Sequence, residues 1–162
     1  MKEKKITLKF TSAHFSDLDK QDQQLIENAQ EAFKTAYAPY SGFFVGASIL
    51  LENGDIVNGS NQENVAYPSG LCAERVAMFY VGSKFPDVKI DTIAVSVFSK
   101  DFEVTDIISP CGACRQVMAE YEDKQKKSIK VILHSPDNQV LIARKVQDLL
   151  PFMFKSSHLK KY

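Results

Sequence analysis

Three cysteines and one glutamate have the types and spacing for metal chemistry in this sequence. Cys111 and Cys114 form a C-x-x-C pair, and Cys72 stands two positions before Glu74. Each cysteine group falls at a predicted helix start, where free backbone N–H groups and the helix dipole favour the thiolate form. Two helix starts that converge over one edge of a sheet would bring the three sulfur atoms to one ion. We therefore predict a metal site formed by Cys72, Cys111 and Cys114.

Three thiolates without a fourth protein ligand are typical of a catalytic zinc site. Zinc prefers four tetrahedral ligands, and structural sites fill all four with side chains, whereas catalytic sites keep one position for water. The three histidines, His14, His134 and His158, lie outside any spacing that would join them to the cysteines. We interpret them as surface or hydrogen-bonded polar residues rather than as a fourth ligand. The sequence thus predicts Zn²⁺ with one open position.

Glu74 is placed to move protons beside such an ion. Because it follows Cys72 by two positions, its side chain cannot readily point where the sulfur points. A carboxylate beside the metal could accept a proton from water, pass it to a ring nitrogen of the substrate and later deliver one to a departing amine. Without the cysteines, Glu74 would be an ordinary acidic residue in the first turn of a helix. With them, we predict a catalytic role.

Length and composition limit the partners of this site. The chain has 162 residues, of which 44% are hydrophobic, so residues 1–162 are expected to form one domain with a single core. Twenty basic residues balance twenty acidic ones, so no global field attracts a nucleic acid or a membrane surface. A small-molecule substrate suits that balance. Three cysteines without a secretion signal argue against a disulfide framework and for a cytoplasmic protein.

Hydrophobic periodicity predicts alternating strands and helices that would hold these residues in place. Strands are predicted at residues 43–51, 55–59, 90–98, 129–134 and 139–143. Helices are predicted from the capping residues Ser16 and Asp19 to Pro39, from about 72 to 80, from 111 to 121, and around 149–150. This order predicts an α/β fold, a three-layer α/β/α sandwich around a mixed five-stranded sheet.

Two terminal segments extend beyond that arrangement. Residues 1–15 form an N-terminal extension, in which Ile6, Leu8 and Phe10 alternate with polar residues and predict a short strand. We expect it to act as an extra edge strand in an oligomer. Residues 155–162 form a C-terminal tail.

A resemblance to a known family rests on two motifs. Cys72-Ala73-Glu74, followed by Pro110-Cys111-Gly112-Ala113-Cys114, resembles the cytidine deaminase family, specifically its small, all-cysteine type that is usually a homotetramer. The likeness extends over residues 25 to 154. It implies hydrolytic deamination of cytidine and deoxycytidine to uridine and deoxyuridine, in which activated water adds to C4, Glu74 protonates the ring nitrogen and ammonia leaves. It also implies a homo-oligomer, a tetramer or a dimer.

The same resemblance implies roles for further residues. Asn61 and Glu63 should hydrogen-bond the ribose hydroxyls, because a neutral diol is well matched by an amide and a carboxylate. Ala73 belongs to the substrate-binding set. Phe43 resembles the aromatic residue that packs on the base, and Phe154 resembles one contributed across a subunit contact. For both phenylalanines, simple core packing is the alternative interpretation.

Arg75 resembles the family's arginine that hydrogen-bonds the cysteine sulfurs. Three thiolates and Zn²⁺ sum to one negative charge, so a nearby guanidinium would withdraw charge and keep the metal acidic enough to ionise water. Gly42, Phe44 and Val76 differ from the family's usual residues, as does the loop 67–71. These differences leave the preference among substrates open.

Four other functions compete with this interpretation. The same chemistry could act on another aminopyrimidine nucleoside, such as a blasticidin-type antibiotic. A non-catalytic zinc module would need a partner's ligand to close the site, and would give Glu74 no purpose. A redox role for Cys111 and Cys114 lacks the early strand, C-x-x-C and helix order of thioredoxin-like proteins. Deamination within RNA or DNA would need a basic groove, which zero net charge does not indicate.

Overall fold

A computed structural model describes residues 1–155 and residue 159. In this part of the chain, the strands are β1 (Phe10–His14), β2 (Phe43–Leu51), β3 (Ile56–Ser60), β4 (Ile90–Ser99), β5 (Lys130–His134) and β6 (Gln139–Ala143). The α-helices are α1 (Lys20–Phe33), α2 (Ala73–Lys84) and α3 (Gly112–Gln125). Short 3-10 turns occupy Phe15–Asp17, Tyr67–Ser69 and Val146–Asp148. Within the described residues, none of these helices has the length and apolar character needed to cross a bilayer.

One mixed sheet forms the middle layer, with the strand order β1-β6-β5-β4-β2-β3. The neighbours β4 and β5 are parallel, whereas the other pairs are antiparallel. Near the start of β2, Phe43 pairs with Ser99 of β4 and Gly46 pairs with Ser60 of β3. The loops that follow β3 and β4 therefore leave from the same end of the sheet. These two loops lead directly to α2 and α3.

Helix α1 covers one face of the sheet. Its buried residues Leu25 and Ile26 form one apolar cluster with Leu50, Ala94 and Ile132 of the central strands. The apolar residues of α1 recur at helical spacing, so they share one face and are buried together. This helix is the first of the two outer layers.

Helices α2 and α3 cover the opposite face. Met78 of α2 and Met118 of α3 share a second apolar cluster with Ile49, Ile93 and Val131. Neighbouring residues of β2 and β4 thus contribute to different clusters, because successive side chains of a strand point to opposite faces. The predicted three-layer α/β/α sandwich is confirmed.

The predicted number of strands was wrong, because β1 adds a sixth strand to the sheet. It pairs with β6 over five residues, from Phe10 opposite Ala143 to His14 opposite Gln139. Most of its side chains are exposed, so the pairing depends on backbone hydrogen bonds rather than on a hydrophobic pattern. Of the predicted strand at residues 6–10, only Phe10 belongs to β1. The edge strand expected for an oligomer thus pairs with its own chain.

The predicted ends of some helices also differ. Asp19 caps α1 by accepting a hydrogen bond from the Asp22 N–H at 2.9 Å, as predicted, whereas Ser16 lies in the preceding 3-10 turn. The helix ends at Phe33, well before Pro39, because Tyr37 exchanges backbone hydrogen bonds with the loop after β3. Helix α3 continues four residues past the predicted end, to Gln125. The last predicted helix, around residues 149–150, was wrong, because the 3-10 turn Val146–Asp148 ends just before Leu149.

Candidate active site

The N-termini of α2 and α3 bring the cysteines together at one end of the sheet. Cys72 is the N-cap of α2 and Cys111 is the N-cap of α3, both in extended backbone conformation, which confirms the predicted helix starts. Cys114 lies in the first turn of α3. Gly59 of β3 allows α2 to pack directly on the sheet, because a Cβ at this position would lie 2.8 Å from the carbonyl oxygen of Ala73.

The three sulfur atoms lie at distances that suit a single zinc ion. The Sγ atom of Cys111 is 3.9 Å from that of Cys72 and 3.4 Å from that of Cys114. Tetrahedral zinc with Zn–S bonds of about 2.3 Å would separate its sulfur ligands by about 3.8 Å. In residues 1–155 and residue 159, this is the one group of three potential ligands of the His, Cys, Asp and Glu types whose atoms all lie within 4.8 Å of one another. The donor set and its spacing therefore fit zinc.

Burial and hydrogen bonding shift the pKa values of Cys72 and Cys114 in opposite directions. Hydrogen bonds from Cys114 and Arg75 lower the pKa of Cys72 to about 5, although partial burial opposes this shift. The pKa of Cys114 is raised, because its proton is held in the hydrogen bond to Cys72 and its side chain is fully buried. Cys111 is exposed. Because zinc binds thiolates, binding at this cluster would release protons.

Arg75 lies against the sulfur cluster on the first turn of α2. Its Nη2 atom donates a hydrogen bond to the Sγ atom of Cys72 at 3.8 Å. Its buried Nε atom has no hydrogen-bond partner among the described residues. The guanidinium is thus placed to neutralise part of the thiolate charge at Cys72, the role that the resemblance implies for it.

Glu74 is a buried carboxyl group beside the cysteines. Its side chain is only 4% exposed, yet it lines the same cavity as Cys72 and Cys111. Burial raises the pKa of the Glu74 carboxyl, and the negative charge of Cys72 raises it further. A carboxyl group whose pKa is raised holds a proton more readily, so it can act as an acid as well as a base.

A cavity of about 680 Å³ opens beside these residues. Phe43, Val95 and Val97 supply its apolar walls, and the loops 61–71 and 108–110 enclose it on two sides. Cavities of about 300 to 1,000 Å³ are the usual size for small-molecule ligands. The cavity is therefore large enough for a nucleoside.

Asn61 lines this cavity and fixes the start of β2. Its Oδ1 atom accepts a hydrogen bond from the N–H of Val45 at 2.7 Å, and its Nδ2 atom donates one to the carbonyl oxygen of Phe43 at 2.9 Å. The amide therefore holds the backbone on both sides of Phe44. This second use of Asn61 was not predicted from the sequence.

Glu63 is also in the cavity wall and fixes the preceding turn. Its carboxylate accepts hydrogen bonds from the N–H groups of Tyr40, at 2.9 Å, and Ser41, at 3.3 Å, and from the Ser41 hydroxyl at 2.5 Å. Slight burial opposes ionisation, but these hydrogen bonds lower the pKa of the Glu63 carboxyl. Glu63 is therefore an ionised acceptor at neutral pH.

The other residues implied by the resemblance fall in different places. Phe43 lines the cavity, whereas Ala73 is fully buried at the start of α2 and is not among the lining residues. Phe154 is 62% exposed and lies outside the cavity of its own chain. Its backbone N–H and carbonyl groups are hydrogen-bonded to the side chain of Gln116. Exposure of this extent excludes core packing of Phe154 within one described protomer.

Two of the histidines, His14 and His134, do not join the cysteine cluster. The His14 side chain accepts a hydrogen bond from the N–H of Ser16 and caps a 3-10 turn. His134 is buried in β5, where its Nδ1 atom shares a hydrogen bond with the hydroxyl of Ser96 at 2.9 Å. His158 lies outside the described residues. His14 and His134 are thus hydrogen-bonded polar residues in this structure.

One part of the site was missed by the sequence analysis. The loop between β4 and α3, residues 100–110, contributes Ile108, Ser109 and Pro110 to the cavity. Its Phe102 ring stacks on that of Phe43, with the ring centroids 6.0 Å apart. The sequence signal that could have identified this loop is its position, because it ends directly before the predicted metal ligand Cys111.

Comparisons with known proteins agree with this geometry. The family model described as the cytidine and deoxycytidylate deaminase zinc-binding region matches residues 19–129. A cytidine deaminase of Halalkalibacterium halodurans is 42% identical over 98 residues, which cover 60% of this chain and 70% of that relative. A probable cytidine deaminase of Dictyostelium discoideum is 33% identical over 145 residues, covering 85% of this chain and 86% of that relative.

Solved structures give the same result. The crystal structure of a cytidine deaminase from Burkholderia pseudomallei has a TM-score of 0.70 and 38% identity, and the match covers 81% of this chain and 97% of that chain. A cytidine deaminase structure from Mycobacterium tuberculosis has a TM-score of 0.65 and 32% identity, covering 85% and 99%. The sulfur cluster, the buried glutamate and the adjacent cavity thus occur in a chain that belongs to the cytidine and deoxycytidylate deaminase family of zinc-binding proteins.

Proposed function

We propose that this protein is a zinc-dependent hydrolase that converts cytidine and deoxycytidine to uridine and deoxyuridine with release of ammonia. One observation carries the proposal: three cysteine sulfurs spaced for one metal ion and the buried carboxyl of Glu74 adjoin one nucleoside-sized cavity. A metal site that only supports folding has no need of such a cavity or of a buried carboxyl group. The non-catalytic zinc module is therefore disfavoured.

Cys72, Cys111 and Cys114 are the proposed zinc ligands. When bound, Zn²⁺ supplies a Lewis acid that makes water nucleophilic at neutral pH. Arg75 offsets the negative charge of the thiolates through its contact with Cys72.

Glu74 is the proposed proton carrier. Addition of water to C4 of the base requires one water proton to reach the ring nitrogen N3, and breaking the C4–N4 bond requires the second to reach the leaving amine. Both protons of the water thus end on substrate nitrogens, and a single carboxyl group can carry them one after the other. The raised pKa of Glu74 suits this task, because its protonated form persists closer to neutral pH.

Phe43, Asn61 and Glu63 are the proposed contacts for the base and the ribose, and Ala73 completes the substrate-binding set at the start of α2. Glu63 keeps acceptor capacity, since a carboxylate has about four lone-pair sites and the described hydrogen bonds use three of them. Asn61 has a second N–H on Nδ2 beyond the one bonded to Phe43. Ribose hydroxyls, which both donate and accept, match these two groups.

The charges of the cavity favour a free nucleoside over a nucleotide or a nucleic acid. Among the described residues that line it, the carboxyl groups belong to Glu63 and Glu74, and the one cation, Arg75, contacts Cys72. A phosphate group would meet no uncommitted cation here, and would face the ionised carboxylate of Glu63. The substrate is therefore proposed to be uncharged.

We also infer that residues 1–162 form one domain that assembles as a homotetramer, with a dimer as the alternative, and acts in pyrimidine salvage in the cytoplasm. The exposed rings of Phe79 and Tyr80 on α2 and of Phe154 support a subunit contact, because such rings are common in interfaces. In that assembly Phe154 would reach the neighbouring cavity. Free cysteines suit a reducing compartment.

The test compares purified parent protein with Glu74→Gln, following the conversion of cytidine by ultraviolet absorbance and ammonia release. The parent should convert cytidine and contain one zinc per chain. Glu74→Gln should keep its zinc and lose turnover, and Cys72→Ala should lose zinc. Glu27→Gln, which alters an exposed glutamate of α1, is the matched control and should behave like the parent.

Two results would contradict the proposal. Turnover retained by Glu74→Gln would remove Glu74 from the mechanism. A zinc-loaded parent that does not convert cytidine would make the proposed substrate wrong.

A further inference from the structure

The β4–α3 loop, residues 100–110, places a second aromatic ring against the wall of the cavity. The ring of Phe102 lies on the ring of Phe43, with centroids 6.0 Å apart and planes inclined by only 7°. Phe43 lines the cavity, whereas Phe102 is not among its lining residues. Phe102 therefore supports Phe43 without itself facing the cavity.

This loop is anchored on both sides of the site. The N–H of Lys100 donates to the carbonyl oxygen of Gly42 at 3.2 Å. Gly42 has a φ of +62°, and a Cβ atom there would collide with the carboxylate of Asp101, so glycine allows the loop to lie this close. At the other end, the carbonyl oxygen of Pro110 accepts a hydrogen bond from Nε of Arg115 at 2.7 Å.

Core packing does not account for Phe102, which is 54% exposed. A half-exposed ring gains less from burial than a core ring, so the parallel contact with Phe43 is the specific interaction that it makes. On the opposite face of β2 and β4, Phe98 is 44% exposed and packs against Phe33 and Phe44, away from the cavity. Both rings are half-exposed, but only the ring of Phe102 stacks on an aromatic residue that lines the cavity.

We propose that Phe102 is a positioning residue that holds the ring of Phe43 in place against the base of the substrate. The proposal rests on the proposed function, in which Phe43 contacts the base. Loss of the Phe102 ring leaves Phe43 free to reorient, which weakens substrate binding and leaves the proton transfers unchanged. Because the effect acts through the base, it is the same for cytidine and deoxycytidine.

The test measures kcat and KM for Phe102→Ala, Phe102→Tyr and the control Phe98→Ala with both nucleosides. An aromatic pair is worth about 0.5 to 1.5 kcal/mol, so Phe102→Ala should raise KM between about two- and tenfold with kcat unchanged. Phe102→Tyr should have the same KM as the parent, because it keeps the stacked ring. Phe98→Ala should keep the parent KM.

Direct binding separates this inference from the proposed function. In the Glu74→Gln background, which should not turn over, calorimetry gives the dissociation constant of cytidine with and without Phe102→Ala. The constant should rise by the same factor as KM. If the parent binds cytidine but does not convert it, the proposed reaction is wrong, while weaker binding by Phe102→Ala still supports the role of Phe102.

Three outcomes with the alanine variants would overturn the inference. These are an unchanged dissociation constant in Phe102→Ala, a fall of kcat at constant KM, and an equal rise of KM in Phe98→Ala. Thermal unfolding of each variant checks that the fold is retained. If Phe102→Ala does not fold, the KM values of Phe102→Tyr and Phe102→Leu test the inference instead. Phe102→Leu, which fills space without an aromatic face, should raise KM if stacking is the cause, and a parent-like KM for this variant would overturn it.

Discussion

Substitution of Gly59 by alanine tests whether close packing of α2 on β3 positions the zinc ligand. A Cβ atom at Gly59 would lie 2.7 Å from the backbone nitrogen of Ala77 and 2.8 Å from the carbonyl oxygen of Ala73. Both contacts are shorter than a methyl group tolerates, and both are with helix backbone, which cannot rotate away as a side chain can. Helix α2 must therefore move away from the sheet, together with Cys72 and Glu74.

The cost follows from the size of this overlap. Forcing an extra methyl group into a packed interior costs about 1 to 3 kcal/mol. For a chain of this length, each kcal/mol lowers the melting temperature by about 2 to 4 °C. A displacement of about 1 Å at a catalytic group can reduce turnover about 100-fold. We expect Gly59→Ala to unfold at lower denaturant concentration, to bind zinc more weakly and to lose most of its activity.

Urea unfolding, zinc content after dialysis and cytidine turnover measure these three effects. Gly112→Ala is the control for stability, because a Cβ atom at Gly112 meets no described atom within 4 Å and alanine is favoured in a helix. It should be at least as stable as the parent. If Gly59→Ala unfolded like Gly112→Ala and kept its zinc and turnover, the packing of α2 on β3 would not position Cys72.

Two further predictions concern charge and pH. Arg75→Ala should lower turnover about 10- to 100-fold and move the acid limb of the kcat/KM profile to higher pH, because the thiolates lose a neutralising charge; a profile that keeps the parent's shape would exclude this role. Burial lowers the pKa of His134 below its ordinary value of 6.5, so below about pH 6.5 the unfolded state binds more protons and stability falls as the pH decreases through the folded pKa. His134→Gln removes this titration, so the free energy of unfolding should differ less between pH 5.5 and pH 7.5 than in the parent, by at most about 1.4 kcal/mol per pH unit. Urea unfolding at the two pH values measures this difference, and an unchanged pH dependence would contradict the assignment.

The fold could be predicted where hydrophobic patterns decide it. Strand β6 was predicted with its observed bounds, Gln139–Ala143, and β2 with the bounds Phe43–Leu51, because their apolar residues and turn signals are continuous. Strand β1 could not be predicted, since residues 11–14 are mostly exposed and pair through backbone groups that any sequence carries. The early end of α1 depends on hydrogen bonds between Tyr37 and the loop after β3, which are distant in sequence.

Some residues of the candidate site could likewise be predicted from the sequence, and others could not. The cysteines and Glu74 could be identified because metal and proton chemistry requires particular residue types at short spacing. The partners of Asn61 and Glu63 could not, because residue type does not reveal which backbone groups a side chain will bond. Phe102 lies in a loop without periodicity, and only the three-dimensional structure places it beside Phe43.

The double use of Asn61 and Glu63 makes the ribose contacts and the base contact interdependent. Asn61 bonds the backbone at Phe43, and Glu63 bonds the turn at Ser41, so both proposed ribose ligands also fix the segment that carries the proposed base contact. A substitution at either residue therefore changes the position of Phe43 as well as the hydrogen bonds to the sugar. Loss of binding in such variants would not measure the ribose contacts alone, whereas Phe102→Ala disturbs Phe43 and leaves both polar residues in place. Phe102 is thus the better probe for separating recognition of the base from recognition of the sugar.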